Sequence, residues 1–199
     1  MNIALTFDDG FREHLAIARY LARHGIKATF FVITGLREYM GKELLKPEEI
    51  RKIASMGHEI GSHTVTHIDM TNTPEDVIYR ELTESKRFLS DLLGGEVASF
   101  AYPYGPHSEV AAKLAKQMYK IVRTTYMGPA KKYNLFDEHG CVVAFNLRLS
   151  NIYDVINLKN LDIIVLYTHL PNIMKLHMLI NVLKFLRPRF VTLSEAFDI

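Results

Sequence analysis

Asp8 and Asp9 stand side by side, with Gly10 next, at the end of the apolar stretch Asn2-Ile3-Ala4-Leu5-Thr6-Phe7. That stretch reads as a strand buried on both faces of a parallel sheet. Two carboxylates before a glycine turn are poor core residues, but they suit the loop after a strand, where α/β folds place their chemistry. A bare Asp-Asp-Gly is better read as a helix cap beside a solvated acid. The rest of the chain overturns that bland reading.

Gly61-Ser62-His63-Thr64-Val65-Thr66-His67 sets two histidines four residues apart. On one side of a helical turn, that spacing lets both imidazoles converge on one metal ion. The bland alternative is a pair of surface histidines in a polar loop. The stretch follows a short strand, His58-Glu59-Ile60-Gly61, and should therefore open on the same face as Asp8 and Asp9. Two histidines and one carboxylate make a three-ligand site with open positions for water and substrate.

Further on, Pro103 and Gly105 bracket Tyr104 in a tight turn at the end of Ser99-Phe100-Ala101-Tyr102. A backbone N–H held in such a turn can donate to a developing oxyanion without reorganisation. Alone, the segment reads equally well as a structural turn. Val165-Leu166-Tyr167-Thr168-His169 is a buried strand ending in a histidine that can act as general acid or base. Strand alternation sets Tyr167 on the same side as His169, where it can line the pocket.

These residues need a frame that brings strand ends together. Strands are predicted over residues 2–7, 28–33, 58–61, 97–102, 120–125, 142–145, 162–167 and 190–193. Helices are predicted over 11–24, 47–56, 73–93, 107–118, 152–158 and 173–186, and a polar surface loop over 127–140. The alternation predicts βα units closing into one α/β barrel. The 199 residues fit a single domain spanning 1–199, with no internal repeat or linker.

A net charge of +2 is too small to argue for nucleic acid or an anionic membrane. The single cysteine, Cys141, excludes an internal disulfide framework and a cysteine zinc site. Asp8 and Asp9 interrupt the apolar start, so no secretion signal is visible, and the expectation is a soluble cytoplasmic protein. The oligomeric state is left open.

In this order along the chain, the four features resemble the polysaccharide deacetylase family, also known as the NodB-homology domain or carbohydrate esterase family four. The family's Thr-Phe-Asp-Asp-Gly is complete from Thr6 to Gly10, and its His-Ser/Thr-x-x-His is present from His63 to His67. Its third motif, Arg-x-Pro-Tyr-Gly-like, appears as Ala101 to Gly105, and its apolar strand ending in histidine as Leu166 to His169.

The resemblance implies a distorted (β/α) barrel of seven to eight units carrying a metal-dependent hydrolase that deacetylates N-acetylated amino sugars or oligosaccharides. Asp9, His63 and His67 would hold a divalent metal ion, zinc first, with cobalt or nickel as alternatives. Asp8 would be the general base, the Tyr104 N–H would bind the oxyanion, and His169 would protonate the leaving amine. Tyr102, Pro103 and Tyr167 would border the substrate.

Two positions depart from the family. Ala101 replaces the arginine that pairs with the base, and a buried Asp8 without a cation would be ill-oriented. Arg148, after a predicted strand, is the candidate substitute. Tyr167 stands where the family carries a leucine that packs on the acetyl methyl. These departures keep open an amide hydrolase of a non-sugar metabolite and a catalytically dead carbohydrate-binding relative. A non-haem iron oxygenase fits the ligands but leaves Asp8 without a role.

Overall fold

The computed structural model describes residues 1–126, 133–148, 150, 152–169 and 172–199. The chain opens with β1 (Asn2–Phe7), α1 (His14–Arg23) and β2 (Thr29–Val32), then a small hairpin of β3 (Glu38–Tyr39) and β4 (Lys42–Glu43). There follow α2 (Pro47–Ser55), β5 (Glu59–Ser62), α3 (Glu75–Leu93), β6 (Ser99–Ala101), α4 (Glu109–Met118) and β7 (Ile121–Tyr126). The last third contains β8 (Val142–Asn146), α5 (Ile152–Asn157), β9 (Ile163–Thr168), α6 (Ile173–Lys184), β10 (Arg189–Val191) and α7 (Leu193–Ala196). The loop expected at 127–140 lies in part outside the described residues.

Seven parallel strands, β1-β2-β5-β6-β7-β8-β9, close into a ring, because β9 pairs back onto β1. The fold is a distorted (β/α) barrel in a single domain. The distortion has a local cause. One edge of β1 lies along β9 for its whole length, from Asn2 opposite Ile163 to Phe7 opposite Thr168. The other edge is divided: Asn2 to Ala4 pair with β10, and only Thr6 and Phe7 reach β2. Thus β10 is wedged between β1 and β2 at the end of the barrel remote from Asp8.

Alternation along each strand divides the core into two layers. Ala4, Phe31, Ala101, Ala144, Val165 and Tyr167 pack together inside the barrel. Ile3, Leu5, Phe7, Phe30, Phe100 and Leu166 face outward against helix residues such as Ile17, Leu21, Leu82 and Leu179. The inward set on β1 runs Ala4, Thr6, Asp8, which delivers Asp8 to the barrel mouth.

Two boundaries differ from expectation for identifiable reasons. The first helix begins at His14 rather than Phe11, because Phe11 bridges to Leu44 and the Arg12 N–H donates to Glu43 O at 2.9 Å. The last strand stops at Val191, because Thr192 and Glu195 cap one another and start α7. The β3–β4 hairpin was not foreseen. Its two-residue turn, Met40 and Gly41, has φ of 51° and 73°, the left-handed pair such a tight hairpin requires. No helix among the described residues is long and apolar enough to cross a membrane.

Gly61 faces the barrel interior, where an added Cβ would overlap the Phe31 ring and come within 2.6 Å of Ser99 Oγ. Overpacking of that kind costs about 1–3 kcal/mol. Gly61→Ala should lower the free energy of unfolding by about that amount, read from the midpoint of a urea titration.

Candidate active site

Every group of the site hangs from the ends of β1, β5, β6, β7 and β9. Asp9 follows inward-facing Asp8 with φ of 74°, a left-handed conformation that turns its side chain away from the strand's alternation. Gly10 continues the turn with φ of 74°, and a Cβ there would lie 2.9 Å from Val32 Cγ1. Only glycine fits.

His63 and His67 converge on Asp9, with His63 Nε2 at 3.5 Å and His67 Nε2 at 3.3 Å from Asp9 Oδ1. All three residues are buried. The loop that brings the histidines together is not the helical turn that their spacing suggested. Thr64 and His67 both have positive φ, 67° and 61°. What holds the loop is Glu81, reaching in from α3: its Oε2 accepts the N–H groups of Val65 (2.8 Å) and Thr66 (2.9 Å), and its Oε1 accepts the Thr66 hydroxyl (2.7 Å). Thr64 Oγ1 accepts the His67 N–H at 2.9 Å.

The donor set fits a divalent ion. His63 Nδ1 lies 2.7 Å from the Ala101 carbonyl, which can only accept, so the proton is on Nδ1 and Nε2 offers a lone pair. Ligands about 2.0–2.1 Å from a tetrahedral ion stand about 3.3–3.4 Å apart, close to the separations seen. Burial alone would raise the Asp9 pKa, but His63 and His67 beside it hold its carboxyl well below the usual range.

Asp8 has a different neighbour. Arg123 Nη2 donates to Asp8 Oδ1 at 2.6 Å, and the arginine has no exposed surface at all. Its guanidinium lies 5.0 Å from the Phe31 ring centre and 5.5 Å from that of Tyr167. The cation on Asp8 is thus Arg123, whereas Arg148 sits exposed after β8. Arg123 is the register partner of Ala101 on the adjacent strand, so the guanidinium enters from β7 into space that a small residue on β6 leaves open. The available signal was an arginine at an inward position of the apolar strand Ile121-Val122-Arg123, since arginine is rarely buried unless paired.

His169, half exposed, brings Nε2 to 3.7 Å from Asp9 Oδ2 and 4.0 Å from Asp8 Oδ2. Tyr167 is buried beneath it, edge-on at 6.0 Å between ring centres. Tyr104 is exposed and takes φ of 63°. The rings of Tyr104 and Tyr39 both approach the His67 ring, at 4.6 and 4.5 Å, and their hydroxyls meet at 3.3 Å. Together they cap that imidazole. Burial first, then the bond to Tyr104, raises the Tyr39 phenol above its ordinary pKa.

Of two further residues expected beside a substrate, Tyr102 is part of the cleft lining and Pro103 is not. Tyr102 stacks on His107 at 4.1 Å and donates its hydroxyl to Ala111 O at 3.3 Å, because alternation points it outward while Ala101 points in. Pro103 is buried. Tyr102, the two acids, His63, His67, Tyr104, Tyr167 and His169 border one cleft of about 520 Å³, with Tyr39, Met40 and Lys42 of the unforeseen hairpin on its rim.

Residues 1–120 match the profile of a family described as polysaccharide deacetylase. A peptidoglycan-N-acetylglucosamine deacetylase from Bacillus cereus is 32% identical over 125 residues, covering 61% of this chain and 43% of that protein. A chitooligosaccharide deacetylase from Rhizobium leguminosarum is 39% identical over 87 residues, 42% of this chain and 37% of the other. The chain spans less than half the length of these curated relatives. Among solved structures, a family 4 acetyl xylan esterase from Clostridium thermocellum, in complex with a cobalt ion, superposes with a TM-score of 0.68 at 25% identity, covering all of this chain and 91% of that one.

Glu81→Ala removes the acceptor for three donors of the histidine loop, and should weaken cobalt or zinc binding about 10- to 100-fold, measured by competition with a chromogenic chelator. Arg123→Met strands a buried carboxylate and should destabilise the fold by about 3–5 kcal/mol. Urea titrations of the two proteins at neutral pH measure the deficit.

Proposed function

This chain belongs to the polysaccharide deacetylase family, and from that membership we propose that it is a divalent-metal-dependent hydrolase removing acetyl groups from N-acetylated amino sugars or their oligomers. The observation that carries this reading is the division between two adjacent acids. Asp9 faces two imidazole nitrogens, and Asp8 faces a guanidinium. A carboxylate that serves as a ligand is a poor base, so consecutive residues supply two roles.

In this reading Asp9, His63 and His67 hold the ion, zinc being the first candidate and cobalt or nickel the others. What a divalent ion supplies there is Lewis acidity, polarising a carbonyl oxygen and making water a stronger nucleophile near neutral pH. Asp8 takes the proton from the attacking water. Arg123 fixes the orientation of that carboxylate through its Nη2 donor. The Tyr104 N–H, presented by a turn already in its working conformation, donates to the oxyanion. His169 lies within reach of both acids and, being half exposed, meets the leaving amine and protonates it. Tyr167 lies under the acyl group, and the exposed Tyr104 and Met40 border the approach for a sugar ring.

Tyr167 also supports a second reading, an amide hydrolase with a non-sugar substrate, because a phenol at the base of the cleft changes the size and polarity of the acyl pocket.

Acetate release from N-acetylglucosamine oligomers tests the first reading, using chelated protein with and without added zinc, cobalt or nickel. Metal-restored acetate is the expected result. Metal uptake without acetate from any oligomer would transfer the assignment to the second reading. Asp8→Asn should retain metal and lose about 10²- to 10⁴-fold in turnover; an unchanged rate would remove Asp8 from the role of base.

A further inference from the structure

Behind the Tyr104 turn, away from the cleft, a second set of donor atoms converges. His107 follows the turn just before α4, and Asp137 and Cys141 lie in the loop leading into β8. His107 Nε2 is 3.4 Å from Asp137 Oδ2 and 3.8 Å from Cys141 Sγ. All three donor atoms lie within 4.8 Å of one another. The His107 side chain is only 5% exposed, and Cys141 only 1%.

Each group is oriented from behind. His107 Nδ1 lies 3.0 Å from the Gly105 carbonyl, which can only accept, so Nδ1 carries the proton and Nε2 presents a lone pair. Asp137 Oδ1 accepts the backbone N–H groups of His139 (3.0 Å) and Cys141 (2.8 Å), leaving Oδ2 to face His107. A lone pair and a carboxylate oxygen thus confront each other with no proton between them. An imidazolium at that place would draw its carboxylate in to about 2.7–2.9 Å, shorter than the 3.4 Å found.

Metal geometry fits better. Zinc bound at about 2.0 Å to nitrogen and oxygen and about 2.3 Å to sulfur sets N and O about 3.3 Å apart, and N and S about 3.5 Å apart. A nucleophilic cysteine does not fit. Acid and thiol both address Nε2, whereas a catalytic relay uses opposite nitrogens of the ring. Burial pushes the Cys141 thiol up to about 11, so it ionises at neutral pH only when a cation takes the proton's place.

We propose that His107, Asp137 and Cys141 form a second divalent-metal site, with the mixed nitrogen, oxygen and sulfur donors that suit zinc. A fourth position is left for water or for His139, whose ring centre is 5.3 Å from that of His107. The site ties the 137–141 loop to the turn that carries Tyr104, since the Gly105 carbonyl is held by both His107 and the Thr124 hydroxyl, the latter at 2.8 Å. Lys116 of α4 secures the same loop through His139 O at 2.9 Å. The single cysteine, expected to rule out cysteine ligation of zinc, supplies one donor of a mixed set instead.

The test is a cobalt(II) titration of the chelated full chain, followed by near-ultraviolet and visible absorption. The chain has one cysteine, so a sulfur-to-cobalt charge-transfer band reports Cys141 alone. The expected result is a second equivalent of cobalt, bringing a thiolate band that His107→Gln abolishes and His63→Ala leaves in place. Saturation at one equivalent without a thiolate band overturns the site, and so does a band that survives His107→Gln. The wild-type titration decides even if a variant fails to fold, and neither result depends on whether the chain deacetylates sugars.

Discussion

A guanidinium with no solvent contact lies inside the barrel, and the architecture of the mouth depends on it. Desolvating Arg123 and Asp8 costs several kcal/mol for each ion, so the pair is not kept for stability. It holds the Asp8 carboxylate in one orientation at the barrel mouth. Room for it comes from small inward residues: Ala4, Ala101 and Ala144 leave the interior volume that Arg123, Phe31 and Tyr167 fill. Apolar faces of Phe31 and Tyr167 on the guanidinium plane replace part of its lost hydration. Small strand residues and one buried cation are therefore a single feature.

Backbone strain collects around the same centre. Asp9, Thr64, His67 and Tyr104 all adopt positive φ without being glycine, at a cost on the order of 1–3 kcal/mol each. Such conformations persist only when their surroundings over-determine them. Glu81 fixes the histidine loop through three donors, Thr64 Oγ1 holds the His67 N–H, and the Thr125 hydroxyl donates to Tyr104 O at 3.5 Å. The mutual placement of Asp9, His63 and His67 is consequently built by the protein itself.

The periodic strands and the two acids were legible because they depend on local pattern: apolar runs, alternation and a glycine turn. Arg123 was not, because its partner, Asp8, is 115 residues away and only the register of β6 on β7 sets the guanidinium opposite Ala101. The reading chose Arg148 by position after a strand, and position says nothing about inward or outward. The histidine spacing was read with a helical period, whereas a side chain from α3 and two left-handed residues decide the loop's shape. The hairpin over residues 38–43 escaped because short, charged strands carry no hydrophobic period at all.

The Tyr104 turn is the place where these constraints meet. Its front carries a phenol that caps His67 together with Tyr39. From behind, its next carbonyl, Gly105 O, is gripped by Thr124 on β7 and by His107 at the head of α4. A donor that must stabilise charge as it develops gains most when it cannot relax away from that charge. Neither Thr124 nor His107 lines the cleft, so their grip on the turn leaves the cleft uncrowded. The hairpin supplies what the barrel lacks on the open side, a second phenol to close over the imidazole. The fixed contacts of the turn thus come from the barrel wall, and the hairpin with the exposed Tyr104 ring forms the rim.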